Sequence, residues 1–280
     1  MNHLHRNITF RNMVACAAVV AFSCAANAAG RVFYDDFESG GVDQWSKDGS
    51  RDMCRTVNGS VDGQGPFSGR FQLECNWDGT VGWNDSRAYS TLKLNSWDYS
   101  REFLIRFQVR FASDVDKTDG GKLLRLYPGT SDSYYMSALM NRVGAPLFSY
   151  WESIGGVRGP VVYTVNGRLG DGNWHEVQIY VRHNTPGQRD GAVRVWVDKT
   201  VYQEAEGIKS VVDGGRWYPL YVMSNWSNNP GWEHDANNHV YWDNFEIYSD
   251  IGAGGQGSLA AGTIQVSNGL PPAPPPLEVR

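Results

Sequence analysis

The chain is short of cysteine, of positive charge and of long apolar runs, and each shortage excludes a class of protein. Four cysteines in 280 residues are too few for a small scaffold held together by disulfides. No apolar stretch approaches the ~20 residues of a membrane-spanning helix. Lys and Arg number 25 against 30 Asp and Glu, a formal charge of −5, so the basic excess of a nucleic-acid binder is missing. No window carries a sustained 3.6-residue apolar stripe, which argues against a helical bundle. What is abundant is glycine and aromatic side chains: 32 Gly, 11 Trp, 14 Tyr and 11 Phe, with aromatics at 13%. That content is far above what disordered chains carry. A soluble, packed, all-β protein is the expectation.

The first residues read as an address. Arg6 and Arg11 precede a small, apolar stretch over 13–26, and Ala26-Asn27-Ala28 forms an A-x-A cleavage site. This is the three-part pattern of a secretory signal over 1–28. The chain is therefore expected to be secreted or periplasmic. A lipoprotein anchor through Cys24 is disfavoured, because Ala21 and Phe22 are poor residues in such a box. Cleavage leaves Cys54 and Cys75, an even pair in an oxidising compartment, which reads as a disulfide closing a glycine-rich loop.

Alternation of period two dominates the rest. Phe103, Ile105, Phe107, Val109 and Phe111 share one face, and Leu104, Arg106, Gln108 and Arg110 share the other. Residues 174–181, 193–197 and 241–248 repeat the pattern. Shorter strands are expected at 32–37, 68–74, 88–94, 122–126, 134–140, 146–151, 161–166 and 218–224. Turn clusters such as Asp171-Gly172 and Asp213-Gly214 separate them. About a dozen short strands with little helix describe an antiparallel two-sheet sandwich. One domain is expected over 29–250. Residues 251–280, rich in Gly, Ala and Pro, are expected to form a disordered tail.

Four stretches carry a more specific signal. They are Tyr34-Asp35-Asp36-Phe37-Glu38-Ser39-Gly40, Gly120-Gly121-Lys122-Leu123, the segment from Gly172-Asn173-Trp174-His175 through Asn184-Thr185-Pro186-Gly187 to Asp198, and Val240-Tyr241-Trp242-Asp243-Asn244-Phe245. Together they resemble the concanavalin A-like jelly-roll proteins of the lectin and glucanase type. Within that superfamily the chain is similar to polysaccharide lyases of the heparin-lyase-like and family-fourteen (alginate and glucuronan lyase) kind. The resemblance implies two curved antiparallel sheets, an acidic polysaccharide as partner, and cleavage by β-elimination. The alternative on the same scaffold is a non-catalytic, lectin-like carbohydrate binder. Paired carboxylates in an E-x-D-x-E spacing, the mark of glycosidases on this fold, do not occur here.

β-Elimination of a uronate removes the C5 proton and expels the C4 oxygen. The substrate carboxylate must be neutralised, and a base and an acid of suitable pKa are needed, without a metal or organic cofactor for the chemistry. The resemblance places Lys122 as base or neutraliser, Tyr150 as the second proton-transfer group and Arg142 at the carboxylate. Arg106, Gln108, Arg110, Arg125 and Asn141 are candidate substrate contacts, since residues 101–170 hold nine Lys or Arg against six acids. The chain departs from the lyase pattern at three points. Ala138 stands where an Arg is expected, Asn141 replaces a Trp, and Phe148 replaces the first Tyr of a Y-x-Y pair.

Trp226, Trp232 and His234 lie in a Trp-, Asn- and Gly-rich segment that could stack on pyranose rings, or equally pack between the sheets. His175 and His183 read as satisfied core or edge histidines. Asp36, Glu38 and Asp243 would meet if the first and last strands pair, as ligands of a structural Ca2+ or as capping groups. A monomer without a membrane span is expected.

Overall fold

The computed structural model describes residues 30–47, 54–77, 92–94, 101–112, 122–128, 136–140, 146–149, 169–208, 217–222, 238–249 and 251. The expected leader, the tail beyond 251 and the strand at 161–166 lie outside the described residues.

Every described element is a β-strand, and they fall in two antiparallel sheets. The strands are β1 (Gly30–Asp35), β2 (Ser46–Lys47), β3 (Cys54–Asn58), β4 (Phe71–Trp77), β5 (Leu92–Leu94), β6 (Glu102–Phe111) and β7 (Lys122–Pro128). They continue with β8 (Met136–Met140), β9 (Pro146–Ser149), β10 (His175–Arg182), β11 (Gly191–Val197), β12 (Thr200–Ile208), β13 (Trp217–Val222) and β14 (Asn238–Ser249). The eight-stranded sheet runs β12-β11-β10-β6-β14-β4-β3, with β1 pairing β14. The six-stranded sheet runs β2-β5-β13-β7-β8-β9.

The period-two reading of β6 is the reason the sheets face each other. Phe103, Ile105, Phe107, Val109 and Phe111 are all buried in one core with Val177 and Ile179 of β10, Trp242, Phe245 and Ile247 of β14, and Leu124, Leu126, Leu220 and Val222 of the six-stranded sheet. Each such side chain contributes about 1.5–3 kcal/mol on leaving water. Aromatic geometry gives the centre its shape: Phe107 stacks on Phe245 with centroids 5.6 Å apart and leans on Trp242 at 4.8 Å. Trp45 meets Phe245 edge-on at 5.2 Å, and its indole N–H donates to Asp35 at 2.8 Å.

Two features position the polar groups. A bulge in β14 between Asp243 and Glu246 breaks its register with β6, and Asn244 there takes a positive φ of 47°. Elsewhere Asp62-Gly63 and Asp198-Lys199 form tight turns with positive φ at both central residues, the geometry that matches strand twist. Cys54 and Cys75 sit directly opposite each other on β3 and β4 and form a disulfide, as expected. The bond ties edge strand β3 into the sheet.

Candidate functional site

Because β6 buries its odd positions against the second sheet, its even positions open on the far side of the eight-stranded sheet. Arg106 stands across from Glu246 on β14 and Gln178 on β10. Its Nε donates to the Glu246 carboxylate at 2.6 Å, and its Nη2 pairs with the same carboxylate and donates to the Tyr248 hydroxyl at 3.1 Å. Arg31 reaches Glu246 from β1 at 3.3 Å. Burial would lower the Arg106 pKa, but Glu246 reverses this and holds it raised. Burial, helped by Glu246, pushes the Tyr248 hydroxyl up to about 12. Gln108, also buried, lies opposite Asp243 and Glu176.

Arg110 is 1% exposed and is held differently. Its guanidinium lies 3.9 Å from the centroid of the Tyr241 ring and 5.6 Å from that of Trp174, and Nη2 donates to the Val61 carbonyl at 3.2 Å. Desolvation lowers its pKa. The segment between β3 and β4 straps it down: Tyr241 donates to Asp62 at 2.6 Å and the Trp174 indole donates to Gly65 O at 3.0 Å.

The same face carries further cross-strand pairs, Arg55–Glu74 at 2.8 Å and Arg194–Glu204. The sequence aims Arg106, Gln108 and Arg110 at the sheet face away from the core, and that is the face they take, with Gln108 and Arg110 buried there. Their partners are the protein's own: a carboxylate for Arg106, and ring faces and a carbonyl for Arg110. Glu246, Tyr248, Tyr241 and Trp174 were missed as partners. Only the cross-strand register could have shown them, since Glu246 lies 140 residues from Arg106.

Lys122 and Arg125 belong to the other layer. They lie on β7, between β13 and β8 in the six-stranded sheet. Lys122 is paired with Leu139, and Arg125 with Ser137 on one side and Tyr221 on the other. Their side chains lie outside the described part, as do Arg142, Tyr150, Asn141, Trp226, Trp232 and His234. Among the described residues the basic candidates are therefore not on one sheet: Arg106 and Arg110 are on β6, and Lys122 and Arg125 are on β7.

The Asp36, Glu38 and Asp243 trio does converge on one corner, because β1 pairs β14 with Asp35 opposite Phe245. Asp243 is fully buried and accepts from Ser68 N at 2.9 Å and Asn244 N at 2.7 Å. Burial, with the charges of Glu38 and Asp36, raises its pKa to about 7. Glu38 accepts from both Arg70 N and Phe71 N at 2.8 Å. Asp36 accepts from the Tyr34 hydroxyl at 3.1 Å and from Glu38 N at 3.2 Å. Among the described residues no group of three or more His, Cys, Asp or Glu is arranged to hold a metal ion. The trio meets there as hydrogen-bond acceptors that staple the β1 loop, the strap and the β14 bulge.

His175 sits at the end of β10, 5% exposed. Its Nδ1 is 2.6 Å from Asp198 and its Nε2 3.0 Å from Asp171, an edge histidine satisfied on both nitrogens. Burial pushes its pKa down, but the hydrogen bonds and charges of Asp198 and Asp171 outweigh that and leave it raised.

Two opposed antiparallel sheets with this strand order make a jelly-roll fold of the concanavalin A-like type. No protein-family profile matches the chain, and no curated protein does. Solved structures do match in fold. Endo-β-1,4-glucuronan lyase from the fungus Trichoderma reesei aligns with a TM-score of 0.60 at 15% identity, covering 79% of this chain and 96% of that one. The alginate lyase vAL-1 from Chlorella virus aligns at 0.56 and 15% identity, over 80% of this chain and 100% of its own. The marine PL-14 alginate lyase from Aplysia kurodai aligns at 0.50 and 13% identity, over 70% and 87%. Among the described residues no helix is long and apolar enough to cross a membrane.

Proposed function

We propose that the protein is an exported polysaccharide lyase that cleaves a uronate-containing polymer by β-elimination. The observation that carries the proposal is the position of β7, the G-G-K-L strand, inside the six-stranded sheet of a fold shared along nearly their whole length with glucuronan and alginate lyases. The cross-strand bonding on the eight-stranded sheet adds to it. Arg106 is already neutralised by Glu246, so carboxylate neutralisation is assigned to Lys122, Arg125 and Arg142. Lys122 and Tyr150 take the proton-transfer roles. One removes the C5 proton, whose electron pair forms the C4–C5 double bond as the C4–O bond breaks. The other donates a proton to the departing oxygen. A disulfide suits the oxidising compartment that export implies.

The test is absorbance of the unsaturated uronate product near ~235 nm, a direct consequence of this elimination, with alginate, glucuronan and glycosaminoglycans as substrates. A rise that Lys122→Ala abolishes supports the reading. No rise with any uronate polymer, with retention on a glycan column, supports the lectin-like binder instead. Ala138, Asn141 and Phe148, where the lyase pattern carries Arg, Trp and Tyr, are the residues that favour this second reading.

A further inference from the structure

Among the described residues the tip of the strap between β3 and β4 is tied to the sheet by a handful of contacts, and Trp174 makes two of them. Its indole N–H donates to Gly65 O at 3.0 Å, and its ring meets that of Phe67 edge-on at 6.1 Å. The other ties are Tyr241 to Asp62 at 2.6 Å and Arg110 to Val61 O at 3.2 Å. Gly59 and Gly69, both at positive φ, flank the tip. Beneath it lies Arg110, whose Nε is buried without a hydrogen-bond partner.

Trp174 precedes His175, and the surroundings of His175 satisfy only one protonation state. Nδ1 faces Asp198 at 2.6 Å and Nε2 faces Asp171 at 3.0 Å. An ionised carboxylate only accepts, so both ring nitrogens must donate, and the ring that does so is the imidazolium. A neutral imidazole has one N–H and turns a lone pair on the second carboxylate. Asp198 is the better held of the two, because its other oxygen accepts from Glu176 N at 3.0 Å. Asp171 is therefore the one released. Its Oδ1, the atom that meets the ring, also accepts from Asn173 N at 2.9 Å, so its movement passes along Asp171-Gly172-Asn173 to Trp174. The other described groups near the ring do not replace the lost bond. Lys199 of the β11–β12 turn is exposed, β6 places Val109 opposite, and the Glu176 carboxylate is engaged by Gln178 at 2.7 Å.

We propose that His175 is a proton-operated latch for the strap. As the imidazolium it fixes the Asp171–Trp174 turn and keeps the tip docked over Arg110; as the neutral imidazole it lets the tip swing away. The two carboxylates raise its affinity for the proton, which puts release above the ordinary histidine value near ~6.5. Release opens the Arg110 guanidinium, with its free Nε, to an anion from solvent. The latch belongs to the eight-stranded sheet and stands whether or not the layer containing β7 is catalytic.

Phenylglyoxal, which modifies accessible guanidinium groups, tests it on the mature chain 29–280 at pH 6 and pH 9, with peptide mass spectrometry reporting Arg110 relative to Arg55. The Arg55 side chain is 74% exposed, so the ratio cancels the pH dependence of the reagent. In the wild type the ratio is expected to rise about fivefold or more from pH 6 to pH 9. In His175→Gln, neutral throughout, it is expected to be high and equal at both. Trp174→Phe keeps the clamp but lacks the donor to Gly65, and is expected to label Arg110 at pH 6 as well. A flat wild-type ratio overturns the latch, as does a rise seen only with loss of the near-UV circular dichroism of the core. A Trp174→Phe ratio as low as that of the wild type at pH 6 overturns it too. So does a pH response that persists in His175→Gln, which would assign the response to His239, 3.3 Å from the Tyr241 hydroxyl.

Discussion

His175→Gln separates the contribution of an ion pair from that of packing, because it removes the charge and keeps a hydrogen-bonding side chain. In the folded protein the ring is gripped by Asp198 at 2.6 Å and Asp171 at 3.0 Å. The histidine is 6% exposed while the two carboxylates are 51% and 41% exposed, so they regain water when the ring is removed. Two charge-assisted hydrogen bonds of ~1.5–3 kcal/mol each, discounted for that exposure, leave an expected loss of about 2–3 kcal/mol at pH 5.5. The sign follows from the raised pKa of His175. The clamp's contribution is complete below the unfolded histidine value near ~6.5 and is lost as pH rises through the folded value. Urea denaturation of both proteins from pH 5.5 to 9 is the assay. The stability gap between them is expected to shrink to about 1 kcal/mol or less at pH 9. His183 and His239 cancel, being common to both proteins. A gap that is flat across this range refutes the ionic clamp and leaves only packing.

Three further perturbations test other parts of the structure. Gly69→Ala places a Cβ 2.2 Å from Glu38 Oε1 at a φ of +65°. Glu38 must swing away and release Arg70 N and Phe71 N, for an expected loss of about 2–4 kcal/mol, and thermal unfolding unchanged within error refutes the stapled corner. Arg106→Met is expected to cost about 1–2 kcal/mol through the lost Glu246 bonds and to leave the rate of uronate cleavage unchanged; a fall in kcat/KM without loss of stability would return Arg106 to the substrate. Joint replacement of Cys54 and Cys75 by Ala, opening a loop of 21 residues, is expected to cost about 3 kcal/mol, measured by denaturant midpoint.

The architecture was legible because burial imposes period two on central strands. Residues 103–111 carry an unbroken apolar row, and β6 appears there with that row facing the second sheet. β12, read as no strand, sits at a sheet edge. Its exposed Val201, Glu204 and Glu206 give no apolar alternation to find. β3 was missed for the same reason, as the opposite edge. The start of β4 was placed three residues early at 68, because Ser68 and Gly69 belong to the strap, where positive φ ends any ladder. The meeting of Asp36, Glu38 and Asp243 was legible from terminal strands that pair. The donors they accept from were not, since several are backbone N–H groups of the strap that no side-chain pattern announces.

The cations show most plainly what composition alone cannot resolve. Nine Lys or Arg between 101 and 170 look like one basic site, yet among the described residues the register puts Arg106 and Arg110 in one layer and Lys122 and Arg125 in the other. A cation facing a resident carboxylate has little left for a ligand: drawing Arg106 onto a substrate would give up a bonded pair to Glu246 worth ~1.5–3 kcal/mol, leaving that carboxylate with the single Arg31 bond at 3.3 Å. Arg110 is sealed beneath Asp62 and Gly65 of the strap and between two aromatic rings, so reaching it means breaking the contacts that hold the loop. Neutralising a uronate requires positive charge that is both reachable and uncommitted. On a sheet whose own strands supply Glu74, Glu204 and Glu246 opposite Arg55, Arg194 and Arg106, these described arginines do not meet that requirement, which is why the elimination chemistry is assigned to the layer containing β7.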